Sequence, residues 1–188
     1  ATALAGHGYA VWAPEYRRVG QDGGGWPGTF LDVADGVDAL KALDIGGIDI
    51  ERTVFVGHSA GGHLALWAAG RKRLRPGQEL CRKNPFAPRG VIGLAAITDL
   101  AGYAKGDNSC QQVTSRLMGG LAEDYPARYE QASPSRLGTS APTVLLWGDQ
   151  DSVVPPDQAG KLPSATVKTI ENAGHFDLIH PQTGAFDL

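Results

Sequence analysis

No run in this sequence approaches the roughly 20 apolar residues a membrane-crossing helix needs, so no membrane partner is expected. No charged-then-apolar leader opens it, and the chain starts without methionine. Because a removed leader would leave the same start, the compartment stays open. Basic charge is thin: the net charge is −3, and only Arg71, Lys72, Arg73 and Arg75 form a dense positive run. That run reads as a solvated helix end, where cations complement the dipole. Without a basic patch of sufficient size, no nucleic-acid partner is expected. Cysteine is nearly absent: Cys81 and Cys110 are the two, at a spacing that fits no zinc pattern. They flank one expected strand and are either two free, partly buried thiols or a disulfide, which would favour an exported protein. Internal repeats and low-complexity segments are missing too. So is the G-K-[ST] ending that would turn the glycine-rich stretch at 57–62 into a phosphate loop. No metal or nucleotide cofactor is implied.

What is present is one domain over 1–188, long enough for a real core. Short β-branched and aromatic runs at 9–13 (closed by Pro14), 53–56, 91–96, 143–147 and 166–170 read as strands. Several are apolar without alternation, which suits strands covered on both faces. Between them lie helical or irregular segments, so the expectation is an α/β fold: a mostly parallel sheet with helices on both faces. Residues 15–28 read as loop. A helix is expected from Thr29, opened by a Thr29-x-x-Asp32 capping pattern, with Phe30, Val33, Ala34, Val37 and Leu40 on one face and Gly46-Gly47 at its end. Residues 98–140 are long, polar and punctuated, and read as a cap or loop excursion above the sheet.

The stretch VFVGHSAGGHLALWAAG, residues 54–70, joins an apolar strand to an apolar helix through Gly57-His58-Ser59-Ala60-Gly61. This is G-x-S-x-G, in which a strained turn lifts a serine hydroxyl out of the sheet. Small residues two before and two after let backbone approach closely, and the Ala60 N–H at the helix start is aimed to stabilise a developing oxyanion. The plainer reading is a glycine turn without chemistry, but the strand-to-helix context is the one the motif requires. A serine needs a base, and the base an orienting acid, here in the chain order Ser, Asp, His. The turn after the 143–147 strand carries Asp149 and Asp151, and the loop after the 166–170 strand carries His175. Strand carboxyl ends are where open parallel sheets gather their active groups. Asp151 is the expected acid, because Ser152-Val153-Val154-Pro155 follows and can fix its direction, whereas Asp149 is expected to cap the turn. His58 is expected to pack beside the nucleophile, His63 to make a structural hydrogen bond and His7 to lie at a helix end. His180 is the weaker candidate base. Trp26, Tyr103, Tyr125 and Phe176 are candidates to shape an apolar pocket.

Taken together, Gly8-Tyr9-Ala10-Val11 leading to Glu15-Tyr16-Arg17, Trp26-Pro27-Gly28-Thr29, GHSAGG at 57–62, GDQDSVVP at 148–155 and GHFDLI at 174–179 resemble an α/β-hydrolase of the esterase and aryl-formamidase-like branch. The resemblance implies Ser59 as nucleophile, His175 as base, Asp151 as acid and Ala60 as one oxyanion donor, with His58, Trp26 and Phe176 near the substrate. It also marks departures. The His-Gly-Gly-type segment that supplies further oxyanion donors in relatives has no counterpart, and Gly23-Gly24-Gly25 resembles it in letters only. A strand between the 9–13 and 53–56 strands and a closing C-terminal helix are also without counterparts, as in a hydrolase trimmed at both ends. The expected consequences are an unpaired sheet edge that favours homo-oligomers, and turnover weakened by the lost donors. The leading expected activity is hydrolysis of small carboxylic esters through an acyl-enzyme. The alternatives are N-formyl aromatic amide hydrolysis, as in kynurenine formamidases, and an inactive fold retained as a binding or assembly module.

Overall fold

The structure, a computed structural model, describes residues 1–186. Its centre is a four-stranded, all-parallel sheet in the order β1 (Val54–His58), β2 (Gly90–Leu94), β3 (Thr143–Gly148), β4 (Thr166–Ile170). Register pairs Phe55 with Val91, Gly93 with Leu145 and Trp147 with Thr169. All four strand ends that follow the chain direction therefore lie on one rim. Four of the five expected strands are present, each within a residue or two of its expected bounds.

The exception is 9–13, which pairs with no strand among the described residues. Tyr9 and Trp12 are 65% and 50% exposed, and the Trp12 indole donates to the Gly36 carbonyl of a helix instead. Its composition suits a strand, but strand character needs a hydrogen-bonding neighbour, and none is in reach.

The N-terminal helix α1 is Thr2–Gly6, and His7 caps its end. Helix α2 (Gly28–Asp38) buries Phe30, Val33, Ala34 and Val37, the face expected from the 3.6-residue period. It ends earlier than the glycine pair, passing into a 3₁₀ turn at Ala39–Ala42 that buries Leu40. The Thr29/Asp32 capping pattern does not form. Thr29 Oγ1 donates to the Arg17 carbonyl, and both Asp32 oxygens take the Arg17 guanidinium at 2.7 and 2.8 Å. An arginine fork offers a carboxylate two parallel donors, which outcompete one backbone N–H.

Helix α3 (Ala60–Gly70) is apolar on every side and accordingly buried, with Leu64, Leu66, Trp67, Ala68 and Ala69 in the core. It packs across β1 and β2. At its end Arg71 is buried rather than solvated: its guanidinium pairs with Asp38 at 2.9 and 3.1 Å and lies over the Trp67 ring. The pairing holds the Asp38 carboxyl below the usual carboxylate range despite its burial. Lys72, Arg73 and Arg75 stay exposed as expected.

Residues 98–140 carry four short helices: α4 (Leu100–Tyr103), α5 (Ser109–Met118), α6 (Pro126–Ala132) and α7 (Pro134–Leu137). Helix α8 (Asp157–Gly160) follows β3. On the sheet face opposite α3, Leu94, Leu146 and Ile170 pack with Ala173 and Leu178. Further along that face Val54 and Val56 of β1 are 45% and 47% exposed. The two cysteines are free: Cys81 is half-buried and Cys110 exposed, so the disulfide alternative is not realised.

Candidate active site

The corner between β1 and α3 is held from both sides. Ser59 N–H donates to the Leu94 carbonyl at the end of β2 (2.9 Å), and its own carbonyl accepts from His63 N–H (3.0 Å). Ser59 has φ 55° and ψ −119°, a left-handed conformation that a non-glycine residue keeps only when its surroundings over-determine it. The surroundings are glycine-built. A Cβ at Gly57 would drive into the Gly61 carbonyl, and one at Gly62 would meet the Ala96 side chain and the Gly57 carbonyl. Gly61, by contrast, faces open space. The close approach expected of the second motif glycine thus belongs to its neighbour, Gly62. The Ala60 N–H, in the first turn of α3, has no acceptor among the described residues and is free for a ligand.

Asp151 follows β3 and is buried. Its Oδ1 accepts from the N–H groups of Val153 and Val154 at 2.8 and 2.9 Å, and its Oδ2 accepts from His175 Nδ1 at 2.8 Å. A carboxylate can only accept here, so Nδ1 carries the proton and Nε2 is left with its lone pair. Asp149 is exposed and its backbone N–H bonds the Ile170 carbonyl. His175 sits in the loop after β4, buried, with Phe176 edge-on at 4.9 Å and 65% exposed. His58, the residue before Ser59, places its ring 4.5 Å from the His175 ring and its Nε2 2.8 Å from the His175 carbonyl. Burial and the neighbouring His175 hold His58 below the ordinary imidazole range, against the raising effect of that hydrogen bond. The structure thus brings Asp151, His175, His58 and Phe176 together, with Ser59 on the adjoining residue. No hydrogen bond joins Ser59 Oγ to His175 among the described residues.

The other candidates have partners of their own. Trp26 donates to Glu79 at 3.0 Å and packs on Phe30, with no ring contact or hydrogen bond to the Ser59–His175 group. Tyr125 lies under the Arg128 guanidinium. His180 is exposed and accepts from Gln182 N–H. Gly24 and Gly25 give their N–H groups to the Gln21 carbonyl and Thr29 Oγ1, and Trp26 gives its own to Leu117, so these three amides are engaged locally.

Sequence reasoning missed what pins the acid's loop. The Val153 carbonyl accepts from Asn108 Nδ2 at 3.0 Å and Tyr103 Oη at 3.3 Å, and the Val154 carbonyl accepts from the Trp147 indole at 3.1 Å. Asn108 also caps α5, where a reciprocal pair with Gln111 marks N-x-x-Q as a helix start. Burial pushes the Tyr103 hydroxyl up to about 12, so it stays protonated and donating.

His63 makes the structural hydrogen bond expected of it, to the Ala132 carbonyl at 2.9 Å. Full burial pushes its imidazole down to about 4, partly offset by that bond. An unfolded histidine titrates near 6.5. Between those values the unfolded chain binds a proton the folded chain refuses, so stability is complete above about pH 6.5 and falls as pH drops toward 4. The loss across the window is about 3 kcal/mol. Urea midpoints measured from pH 7 to pH 4 should show it, and His63→Gln should remove that part of the slope.

Residues 1–165 match the BD-FAE family model. The chain belongs to the BD-FAE family. His175 lies beyond the matched span, so its place in the site comes from the structure. No curated protein matches the BD-FAE chain. Among solved structures it is similar to a truncated form of a carbohydrate esterase from gut microbiota (22% identity, TM-score 0.64, covering 80% of this chain and 62% of that one). It is also similar to esterase B from Lactobacillus Rhamnosis (19% identity, TM-score 0.70, 92% and 60%). A puromycin-hydrolyzing peptidase from Mycobacterium tuberculosis is 29% identical (TM-score 0.60, 80% and 22%). The fold is that of the α/β-hydrolases, and the chain spans less than two thirds of the length of each of these neighbours. Esterases among these neighbours agree with the esterase side of the motif resemblance.

Proposed function

We propose that this BD-FAE chain hydrolyses small carboxylic esters through an acyl-enzyme. The observation that carries the reading is the buried Asp151–His175 hydrogen bond of 2.8 Å on the same rim as the strained Ser59 corner. Ser59 Oγ attacks the ester carbonyl and passes its proton to His175 Nε2, and Ala60 N–H takes the negative charge developing on the carbonyl oxygen. The imidazolium, stabilised by Asp151, then protonates the leaving alkoxide as the C–O bond breaks. Water, deprotonated by the same Nε2, attacks the acyl carbonyl, and the imidazolium returns its proton to Ser59 Oγ as that C–O bond breaks and the acid leaves. Hydrogen bonds of this kind are often long in the free enzyme and tighten around substrate, which is the sense in which the unbonded Ser59 hydroxyl is read.

With the Gly24, Gly25 and Trp26 amides engaged, Ala60 is the one oxyanion donor assigned. The esterases among its neighbours favour esters, while the puromycin-hydrolyzing peptidase favours an amide reading of the same site. Rates on p-nitrophenyl acetate and on N-formyl-kynurenine separate the two. A folded chain that turns over neither, and takes no fluorophosphonate at Ser59, is an assembly module instead.

A second copy is the partner proposed for the open edge. Arg89 N–H reaches the Thr53 carbonyl and Ser59 N–H the Leu94 carbonyl. Odd-numbered backbone groups of β1 thus face β2, and those of Val54 and Val56 face outward unpaired. Light scattering on the purified chain should read a dimer or larger; a monomer overturns the association.

A further inference from the structure

We propose that His58 is a positioning residue, whose Nε2–H clamps the backbone carbonyl of His175 and so holds the loop of the base against the serine corner. The G-x-S-x-G pattern leaves this position open, and nothing in the reaction itself needs an imidazole there. Yet the side chain bridges segments 117 residues apart with a 2.8 Å hydrogen bond. A carbonyl oxygen can only accept, so Nε2 must be the protonated nitrogen of a neutral His58. No other donor to the His175 carbonyl is found among the described residues. The rest of that loop is tied to the β3 side of the site. Gln150 N–H bonds the Ala173 carbonyl at 3.0 Å, Gly174 N–H bonds Asp177 within the loop itself, and the His175 ring bonds Asp151 on the β3 side. His58 supplies the tie to the β1 side, where Ser59 sits. Its ring also lies 4.5 Å from that of His175 and 5.7 Å from that of Phe176, so it fixes the tilt of the base as well as its distance.

The clamp is a property of the fold, while its catalytic meaning rests on the hydrolase reading above; the experiment keeps them apart. Long-range ¹H–¹⁵N correlation on the wild-type chain reads the tautomer directly. Nε2–H at His58 is expected whether or not the chain is active, and Nδ1–H overturns the clamp. Kinetics on p-nitrophenyl acetate then test positioning in two variants that circular dichroism shows to be folded. His58→Phe keeps the ring and removes the donor, and is expected to lower kcat about tenfold to a hundredfold with KM nearly unchanged, the scale of a small misplacement of a reacting group. His58→Gln puts an amide N–H close to the place of Nε2 and is expected to restore most of the loss. Wild-type kcat in His58→Phe, or no rescue by His58→Gln, overturns positioning. If wild type itself neither turns over ester nor takes fluorophosphonate, the hydrolase reading has failed, and the tautomer still decides the clamp.

Discussion

Ser59→Ala is expected to reduce esterase turnover about a millionfold, to background, and to abolish fluorophosphonate labelling, while leaving the melting temperature unchanged. Serine removal in triad hydrolases costs about that much because base and acid have no role once the nucleophile is gone. Stability should hold because the Ser59 hydroxyl has no hydrogen-bond partner among the described residues, and alanine meets the same backbone strain at φ 55°. Ser59→Gly gives the complementary result. Glycine adopts the left-handed conformation without penalty, so this variant should be equally inactive but more stable, by about 1 kcal/mol. The stability gain reports the backbone strain, and the loss of turnover and labelling reports the hydroxyl's part in the reaction. Intact protein mass after fluorophosphonate treatment and urea midpoints for the three proteins read them together. Full labelling of Ser59→Ala at another residue would remove Ser59 from the mechanism.

Asp151→Asn is expected to lower kcat about 10⁴-fold with little change in fold. The argument turns on one proton. The asparagine oxygen can still accept from Val153 and Val154 N–H, as Oδ1 does at 2.8 and 2.9 Å. Its NH₂ then faces His175 Nδ1, which must accept rather than donate, so the imidazole proton moves to Nε2. A base whose working nitrogen is already protonated cannot take the serine proton. The geometry therefore survives and the chemistry fails. Kinetics on p-nitrophenyl acetate beside an unchanged circular dichroism spectrum check the outcome. A loss of less than tenfold would show that Asp151 does not set the tautomer.

Much of this is legible without coordinates because it is local. Four strands were readable from β-branched runs bounded by glycine and proline, and the buried face of α2 from the spacing of Phe30, Val33, Ala34 and Val37. Each depends on side-chain chemistry within one segment. The failures are cases where a distant partner decided the outcome. Residues 9–13 have strand composition but no neighbour to bond, so they remain coil against Gly36. Arg71 has the sequence context of a solvated cation, and Asp38, 33 residues away, draws it inside. Thr29 and Asp32 look like a helix start, and Arg17 claimed both.

The same division runs through the site. The sequence alone established that a serine stands on a glycine-built corner between a strand and a helix, and that an aspartate and a histidine follow the later strands. Those facts need only a motif and a parallel sheet, whose strand ends share one rim. Tertiary structure decided what spacing along the chain cannot carry. It gave the crowded role to Gly62 instead of Gly61, locked the Asp151 loop through Asn108 and Tyr103, and set His58 against the His175 carbonyl. Hydrogen bonds act over about 3 Å in space and are indifferent to separation in sequence, so which donor meets which acceptor is settled only once the strands are in register.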